Sequence, residues 1–156
     1  MSIAVGTKSV TNFNEVLTRV KAAGLMKKKP SFYMIRLAVI SVLATGLWTA
    51  GAFIGQAFNE DPLWIIAGFG VAGLLGVLSA QYGFIAHEAA HRQVFRGNKA
   101  NDALGLVLAN LFAGLSYGFW MKKHNQHHKV PNQIDADPDI AIRILSFTPE
   151  SRNAKK

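Results

Sequence analysis

The sequence predicts an all-α membrane protein, built from a hairpin of two transmembrane helices, an interfacial or re-entrant helix, and cytosolic helices that carry histidines. Two uncharged runs follow one another, 22 and 25 residues long, at residues 37–58 and 62–86. At about 1.5 Å per residue, each run exceeds the roughly 30 Å of a hydrocarbon core. All five histidines fall in two motifs, H-x-x-x-H and H-x-x-H-H, on either side of a third apolar run.

The N-terminal segment, residues 1–32, is predicted to be cytosolic and to hold one short amphipathic helix. Asn12 is predicted to cap its start and Gly24 to close its end. The helix lies either on the membrane surface or against its own domain. No cleaved signal peptide is expected, because the segment has no apolar core. The apolar residues at helical spacing are Phe13, Val16, Leu17 and Val20.

The charges indicate how the hairpin at residues 33–86 is oriented. Seventeen Lys and Arg against nine Asp and Glu give a net charge of +8. The basic residues lie at the ends of the apolar runs, which favours a membrane protein over a nucleic-acid-binding one. No Lys or Arg lies between the two runs, where Asn59 to Asp61 form an acidic turn. The positive-inside rule therefore places the N-terminus and the first histidine motif in the cytoplasm. Glycines in both runs suit close helix contact: Gly46, Gly51, Gly55, Gly68, Gly70, Gly73 and Gly76.

The third apolar run, residues 103–121, is long enough to cross a membrane once. Asn101 or Asp102 is its predicted N-cap. A single crossing would separate the two histidine motifs, so one shared site requires an interfacial or re-entrant helix that packs on protein. The alternative is an ordinary third span between two unrelated clusters. The region from residue 87 to 156 is otherwise polar and predicted to lie at the cytoplasmic face.

The histidines are predicted to bind metal, because imidazole is the commonest metal-binding side chain. In each motif the residues recur at i, i+3 or i+4 and share one helix face. Such a nitrogen site suits iron, copper, zinc or nickel and excludes calcium and magnesium. No catalytic residue beyond these ligands and no other cofactor site is predicted. The predicted ligands are His87, His91, His124, His127 and His128.

Each motif also has a simpler interpretation. Pairs of histidines at i, i+4 arise by chance, and the second motif, beside Lys122, Lys123 and Lys129, could be a face that binds lipid headgroups. Imidazole ligands usually need an acceptor for their second ring nitrogen. The candidate acceptors are Glu88, Asp135, Asp137 and Asp139. The chain contains no Cys, so disulfides and thiolate sites are excluded.

H-E-A-A-H also matches H-E-x-x-H, in which two histidines bind zinc and the glutamate activates water. This interpretation makes His87 and His91 the ligands and Glu88 the base of a membrane metalloprotease. It leaves the second motif unexplained and needs a third ligand from elsewhere in the chain.

The order of features resembles the membrane-bound fatty acid desaturases, especially the bacterial acyl-lipid and acyl-CoA type. A basic N-terminal segment and a two-span hairpin precede H-E-A-A-H, an apolar helix, W-M-K-K-H-N-Q-H-H-K-V-P-N and D-A-D-P-D-I. The resemblance covers nearly the whole chain from about Phe13. The flanking residues that agree with the family are Trp120, Asn125, Pro131, Asn132, Asp137 and Pro138.

This resemblance implies that the five histidines bind iron in a di-iron centre at the cytoplasmic face of a bacterial membrane. The irons would use O₂ to place a double bond in an acyl chain carried by CoA or by a lipid. Electrons would come from a reductase through ferredoxin or a cytochrome b5-like carrier. Related families with comparable motifs hydroxylate alkanes, sterols or carotenoids.

The family also has a third histidine box, after a second pair of spans, that this sequence does not contain. Residues 87–156 would therefore form a partial di-metal domain. We expect an N-terminal part of a desaturase that is incomplete alone, completed by a missing C-terminal half or surviving as an inactive remnant.

Overall fold

The computed structural model describes residues 8–57, 61 and 63–141, and every regular element in that part of the chain is helical. The all-α prediction is therefore confirmed. Asn59 and Glu60 of the predicted acidic turn, and residues 142–156, lie outside the described residues. The elements are α1 (Lys8–Ala22), α2 (Pro30–Ala57), α3 (Trp64–Ala90), α4 (Asn98–Val107), one π-helical turn (Leu108–Phe112) and α5 (Tyr117–Lys129).

Helices α2 and α3 form the predicted hairpin, and both are long and apolar enough to cross a membrane. Most of their apolar surface is not covered by the described protein, as expected for helices whose solvent is lipid. The pair is joined by polar contacts near its histidine end. The hydroxyls of Ser41 and Tyr82 are 3.0 Å apart, and the Arg36 guanidinium donates to the Gln81 side-chain oxygen. The chain is thus a membrane protein.

Only two of the seven predicted glycines lie in close contact between these helices. A Cβ at Gly51 would be 3.6 Å from Val71, and one at Gly68 would be 3.8 Å from Ile54. The other five would meet no atom within 4 Å. Helix contact at those five positions stays a prediction, because no described helix approaches them.

Helix α1 begins earlier than the sequence predicted. Lys8 already belongs to the helix, so Asn12 lies inside it and does not cap it. Asparagine is only weakly unfavourable in a helix interior, at well under about 1 kcal/mol. Gly24 ends the region as predicted, with a φ of +70° that suits glycine. Phe13 and Val16 are more than half exposed, whereas Leu17 and Val20 are half-buried, so the described chain covers the apolar face only in part.

Buried Asn101 holds the loop that follows α3, and it does not cap α4. That helix begins at Asn98, after Gly97. The Asn101 side chain accepts from the backbone N–H of Phe95 and donates to the carbonyls of Phe95 and Gly97. Lys28, on the approach to α2, also donates to the Phe95 carbonyl at 2.9 Å. The predicted N-cap, Asn101 or Asp102, was wrong because α4 begins at Asn98, before both residues.

The third apolar run, residues 103–121, forms two helices where the sequence predicted one. The π-helical turn closes α4, and Gly114 then adopts a φ of +66°. The side-chain oxygen of Asn110 accepts from Tyr117 N–H, and Ser116 caps α5 by accepting from Phe119 N–H. Helix α5 consequently leaves at 115° to the preceding helix. The bend is compatible with a broken span or with a re-entrant helix, so the interfacial or re-entrant placement stays a prediction.

A small core lies where the elements meet, at the histidine end of the hairpin. Ile40 of α2 and Ile85 of α3 are buried there against Leu108 of the π-helical turn. Tyr117 of α5 packs in the same cluster. This core fixes the end of α3 relative to the start of α5, and both helices carry histidines.

Candidate metal centre

The two histidine motifs, 33 positions apart, meet at the junction of α3 and α5. The Nε2 atoms of His87 and His91 are 3.2 Å apart. His91 Nε2 lies 2.9 Å from His124 Nε2, and His124 Nε2 lies 3.1 Å from His128 Nε2. Four imidazoles therefore turn the same ring nitrogen toward one point. We call these four residues the Nε2 cluster.

Helix periodicity brings together the two histidines within each motif, and the bend brings the two motifs together. Helix α3 continues through the first motif to Ala90, so His87 and His91 lie one turn apart on one face. Helix α5 does the same for His124 and His128. The 115° bend then carries α5 over the end of α3. A straight third span would have placed the motifs on opposite sides of the membrane.

The donor set of the Nε2 cluster fits a metal ion. Nitrogens of His87, His91 and His124 all lie within 4.8 Å of one another. A neutral imidazole has one N–H donor and one lone pair, so a chain of Nε2 atoms cannot satisfy every member through mutual hydrogen bonds. One metal ion would accept the lone pairs of His87, His91 and His124 together. Imidazole nitrogens suit iron, copper, zinc or nickel.

The surroundings of His91 and His124 favour the neutral imidazole, which is the state that binds metal. Burial is the largest cause that lowers the pKa of His124 to about 4, followed by its neighbours His87, His128 and His91. Burial, His87 and His128 likewise lower the pKa of His91. A positive charge on one ring is unfavourable because the others crowd it. At neutral pH His91 and His124 therefore each keep a ring-nitrogen lone pair that can bind metal.

His127 is the one histidine that the structure does not bring into the Nε2 cluster. Its Nδ1 atom lies 2.9 and 3.0 Å from the two carboxylate oxygens of Asp137, and 3.5 Å from Asp139. Burial raises the pKa of Asp137, but the N–H groups of Asp139 and Asn132 and the His127 ring lower it below the usual range. Asp137 is therefore a carboxylate that accepts hydrogen bonds.

The other candidate acceptors have different surroundings. Glu88 accepts from the Tyr33 hydroxyl on α2, at 3.4 Å. Its carboxylate thus faces α2, which disfavours a role as the water-activating base of a zinc protease. Asp135 is exposed in a turn with a φ of +64°. Asp139 forms an ion pair with Lys123 at 2.8 Å.

Trp120 also belongs to the site, although the sequence indicated it only as a residue that flanks the second histidine motif. Its indole stacks on His124, with ring centroids 4.5 Å apart and planes 15° apart. It also meets the His87 ring edge-on at 5.6 Å. The signal was present in the sequence, since Trp120 and His124 are at i, i+4 on α5 and share a face.

An apolar groove of about 410 Å³ opens beside the Nε2 cluster. It runs between α3 and the segment that follows the π-helical turn, and small residues such as Gly83 and Ala113 leave the space. Phe84 and Leu115 provide larger apolar walls. His87 and Trp120 close the end nearest the cluster. A hydrocarbon chain in this groove would end at the histidines.

Comparison with known proteins agrees with this arrangement. The model of the fatty acid desaturase family matches residues 67–155, which include both histidine motifs. The chain is 28% identical over 96% of its length to a Delta(6)-fatty-acid desaturase of Caenorhabditis elegans, of which it covers 31%. It is 39% identical over 83% of its length to an acyl-lipid (9-3)-desaturase of Borago officinalis, of which it covers 27%. No solved structure matches it significantly.

The chain spans about a third or less of the length of these curated relatives. The matched region nevertheless holds the end of the hairpin, the bend and all five histidines. On the family match and the convergence of the two motifs, this chain belongs to the fatty acid desaturase family.

Proposed function

We propose that this chain supplies part of the iron site and part of the acyl groove of a membrane fatty acid desaturase, which introduces a double bond into an acyl chain. The observation that carries the proposal is the convergence of four Nε2 atoms at one end of an apolar groove. The relatives are named as fatty acid or acyl-lipid desaturases, which supports an acyl substrate on CoA or on a lipid.

The histidines would hold the metal, and the groove would hold the substrate. Bound iron would supply the O₂ activation that an unactivated alkyl chain requires, because its C–H bonds offer no acidic proton to a side-chain base. His87, His91, His124 and His128 keep their lone pairs directed at the ion. Phe84, Leu115 and the small residues of the groove exclude water from the acyl chain. No side chain beyond the ligands is proposed to act in catalysis.

Five imidazoles are too few for two irons, so we propose that a di-iron centre draws further ligands from outside these two motifs. Residues 87–156 would then be one part of a di-metal domain, after a cytosolic segment at 1–32 and the hairpin at 33–86. The absence of Lys and Arg between the spans supports a cytoplasmic site. We propose electron delivery there by ferredoxin or a cytochrome b5-like carrier. A bacterial cytoplasmic membrane remains the predicted location.

The first test is the identity of the metal and its dependence on each histidine. The 156-residue chain, purified in detergent, is loaded anaerobically with Fe²⁺ or Zn²⁺, and bound metal is measured by plasma mass spectrometry. We expect His91→Ala and His124→Ala to lose most of the bound iron. Asn125→Ala, on the same helix and exposed, is the matched control and retains it.

A second variant distinguishes the protease interpretation. Glu88→Gln leaves iron binding intact if the four histidines act together, because Glu88 faces α2. Zinc binding that needs His87 and His91 but survives His124→Ala, together with a peptidase activity that Glu88→Gln abolishes, would overturn the proposal.

A further inference from the structure

The fifth histidine is held by a carboxylate, whereas the other four meet through their ring nitrogens. His127 Nδ1 contacts both oxygens of Asp137 at 2.9 and 3.0 Å. Asp137 is 1% exposed, although its neighbours in the loop are half-buried or exposed. A fully buried carboxylate in a short surface loop is costly unless it has dedicated partners.

Asp137 has such partners apart from the histidine. One oxygen accepts from Asn132 N–H at 2.6 Å, and the other from Asp139 N–H at 2.8 Å. Left-handed backbone at Asn132 and Asp135 curls the loop around the carboxylate. Gln126 of α5 donates to the Ala136 carbonyl at 2.8 Å and fastens the loop to the helix. The carboxylate is therefore fixed in place by the backbone.

This geometry selects one tautomer of the imidazole. A carboxylate can only accept, so a neutral His127 ring in this contact carries its proton on Nδ1. Nε2 then carries the lone pair and faces away from Asp137. The Nε2 cluster turns the same atom inward. Carboxylate partners of this kind raise the basicity of a metal-binding imidazole and fix its orientation.

We propose that Asp137 is a positioning residue, which holds His127 in the Nδ1–H tautomer and directs its Nε2 atom to a metal ion. The metal-binding half of this inference rests on the proposed function, whereas the tautomer does not. The sequence offered four carboxylates for this role, and the contacts select Asp137.

The same residues allow a different use, in which Nδ1 of His127 and the carboxylates of Asp137 and Asp139 bind a cation themselves. The contacts disfavour it. Both oxygens of Asp137 already accept from backbone N–H groups, and Asp139 pairs with Lys123. A cation there would also lie near the Lys123 ammonium.

The tautomer is measured directly by ¹⁵N NMR on the metal-free chain in detergent, labelled at histidine, with His127→Gln to assign the signal. We expect the neutral His127 ring to carry its proton on Nδ1 and to leave Nε2 unprotonated, measured at a pH where the spectrum shows a neutral ring. Asp137→Asn places an NH₂ group against one of the two backbone N–H donors, and we expect the single tautomer to be lost. Asp135→Asn, exposed in the same loop, is the matched control and retains it.

Metal affinity gives the second readout. We expect Asp137→Asn to weaken binding at the His127-dependent site by about 10- to 100-fold, as is usual for such partners. The iron held by the Nε2 cluster should be unchanged, which separates a positioning effect from general unfolding. Circular dichroism checks the helices, and Asp137→Ala serves as a second variant if the asparagine variant does not fold.

The outcomes are separable. A His127 ring protonated at Nε2 in the wild-type chain, or an unchanged tautomer in both Asp137 variants, overturns the positioning role. Zn²⁺ bound through a deprotonated Nδ1 overturns it in favour of the cation site. If His127 has the expected tautomer but the chain binds no metal, Asp137 is still the partner that orients His127. Only the proposed function is then overturned.

Discussion

The indole of Trp120 lies flat against the imidazole of His124, with centroids 4.5 Å apart. The same indole lines the apolar groove and is itself stacked on Tyr117. One side chain thus forms the boundary between the space for a hydrocarbon chain and the nitrogens proposed to bind metal. Helix α5 supplies both because Trp120 and His124 are one turn apart.

Truncating Trp120 should weaken metal binding, although it is not a ligand. An aromatic contact of this kind is worth about 0.5–1.5 kcal/mol, so Trp120→Ala should weaken Fe²⁺ or Co²⁺ affinity by roughly 2- to 10-fold. Trp120→Phe keeps a stacking surface and should restore most of it. Anaerobic metal titration provides the measurement. Phe119→Ala, an exposed neighbour, should leave the affinity unchanged. Equal affinities for all three variants would show that the stack does not support His124.

Gly105 is required by the close approach of α4 to Tyr117. A Cβ at this position would lie 2.7 Å from the Tyr117 hydroxyl and 2.8 Å from its ring. Gly105→Ala should destabilise the chain by about 1–3 kcal/mol through overpacking, which exceeds the gain of up to about 1 kcal/mol in helix propensity. Thermal unfolding in detergent measures the difference.

The matched control for Gly105 lies on α5. A Cβ at Gly118 would meet no atom within 4 Å, so Gly118→Ala should stabilise the chain slightly. If both alanines stabilise it, Tyr117 has moved at little cost, and the close packing seen here is not needed for folding.

The metal-free chain should lose stability as the pH falls through the range of the clustered histidines. The pKa of His124 is lowered from 6.5 to about 4 by burial and by His87, His128 and His91. Between those two values the unfolded chain binds more protons than the folded one, so protonation favours unfolding. This contribution is fully present above about pH 6.5 and is lost towards about pH 4.

Denaturant unfolding between pH 4 and 7, in the presence of a chelator, tests this dependence. His124→Gln cannot titrate and should flatten the curve. Some slope should persist, because the pKa of His91 is lowered as well. A variant with the wild-type slope would indicate that His124 is protonated as easily in the folded chain as in the unfolded one.

Filling the groove should exclude acyl chains without disturbing the histidines. Ala80 is exposed on α3 and lines the groove, so Ala80→Trp should narrow it. A fatty acid that carries a photoactivatable group on its chain should label the groove segments around Phe84 and Ala113 in the wild type and several-fold less in Ala80→Trp. Val77→Trp is the control, because Val77 is exposed three residues away and does not line the groove. Unchanged labelling would place the acyl chain elsewhere.

Much of the fold is predicted by the sequence because it depends on local chemistry. A long uncharged run can only be a helix in lipid, which gives α2 and α3. Residues at i, i+4 share a helix face in any surroundings, which pairs His87 with His91 and His124 with His128. Gly24 ends α1 because left-handed backbone favours glycine. Helix starts were predicted less well, since Asn12 and Asn101 have side chains that also fit inside helices or loops.

The arrangement of the site was decided by contacts between residues distant in sequence. The bend before α5 depends on Asn110 reaching Tyr117, and it brings His124 to His91. Asp137, and not Glu88, is the partner of a histidine because the folded loop holds its carboxylate against the His127 ring, whereas Glu88 faces α2. The sequence by itself thus determined the two long spans and the histidine pairs that share a helix face, because periodicity and hydropathy act within one element. Only the tertiary structure separated four histidines from the fifth, because that depends on the angle between two helices and on the loop that holds the buried Asp137.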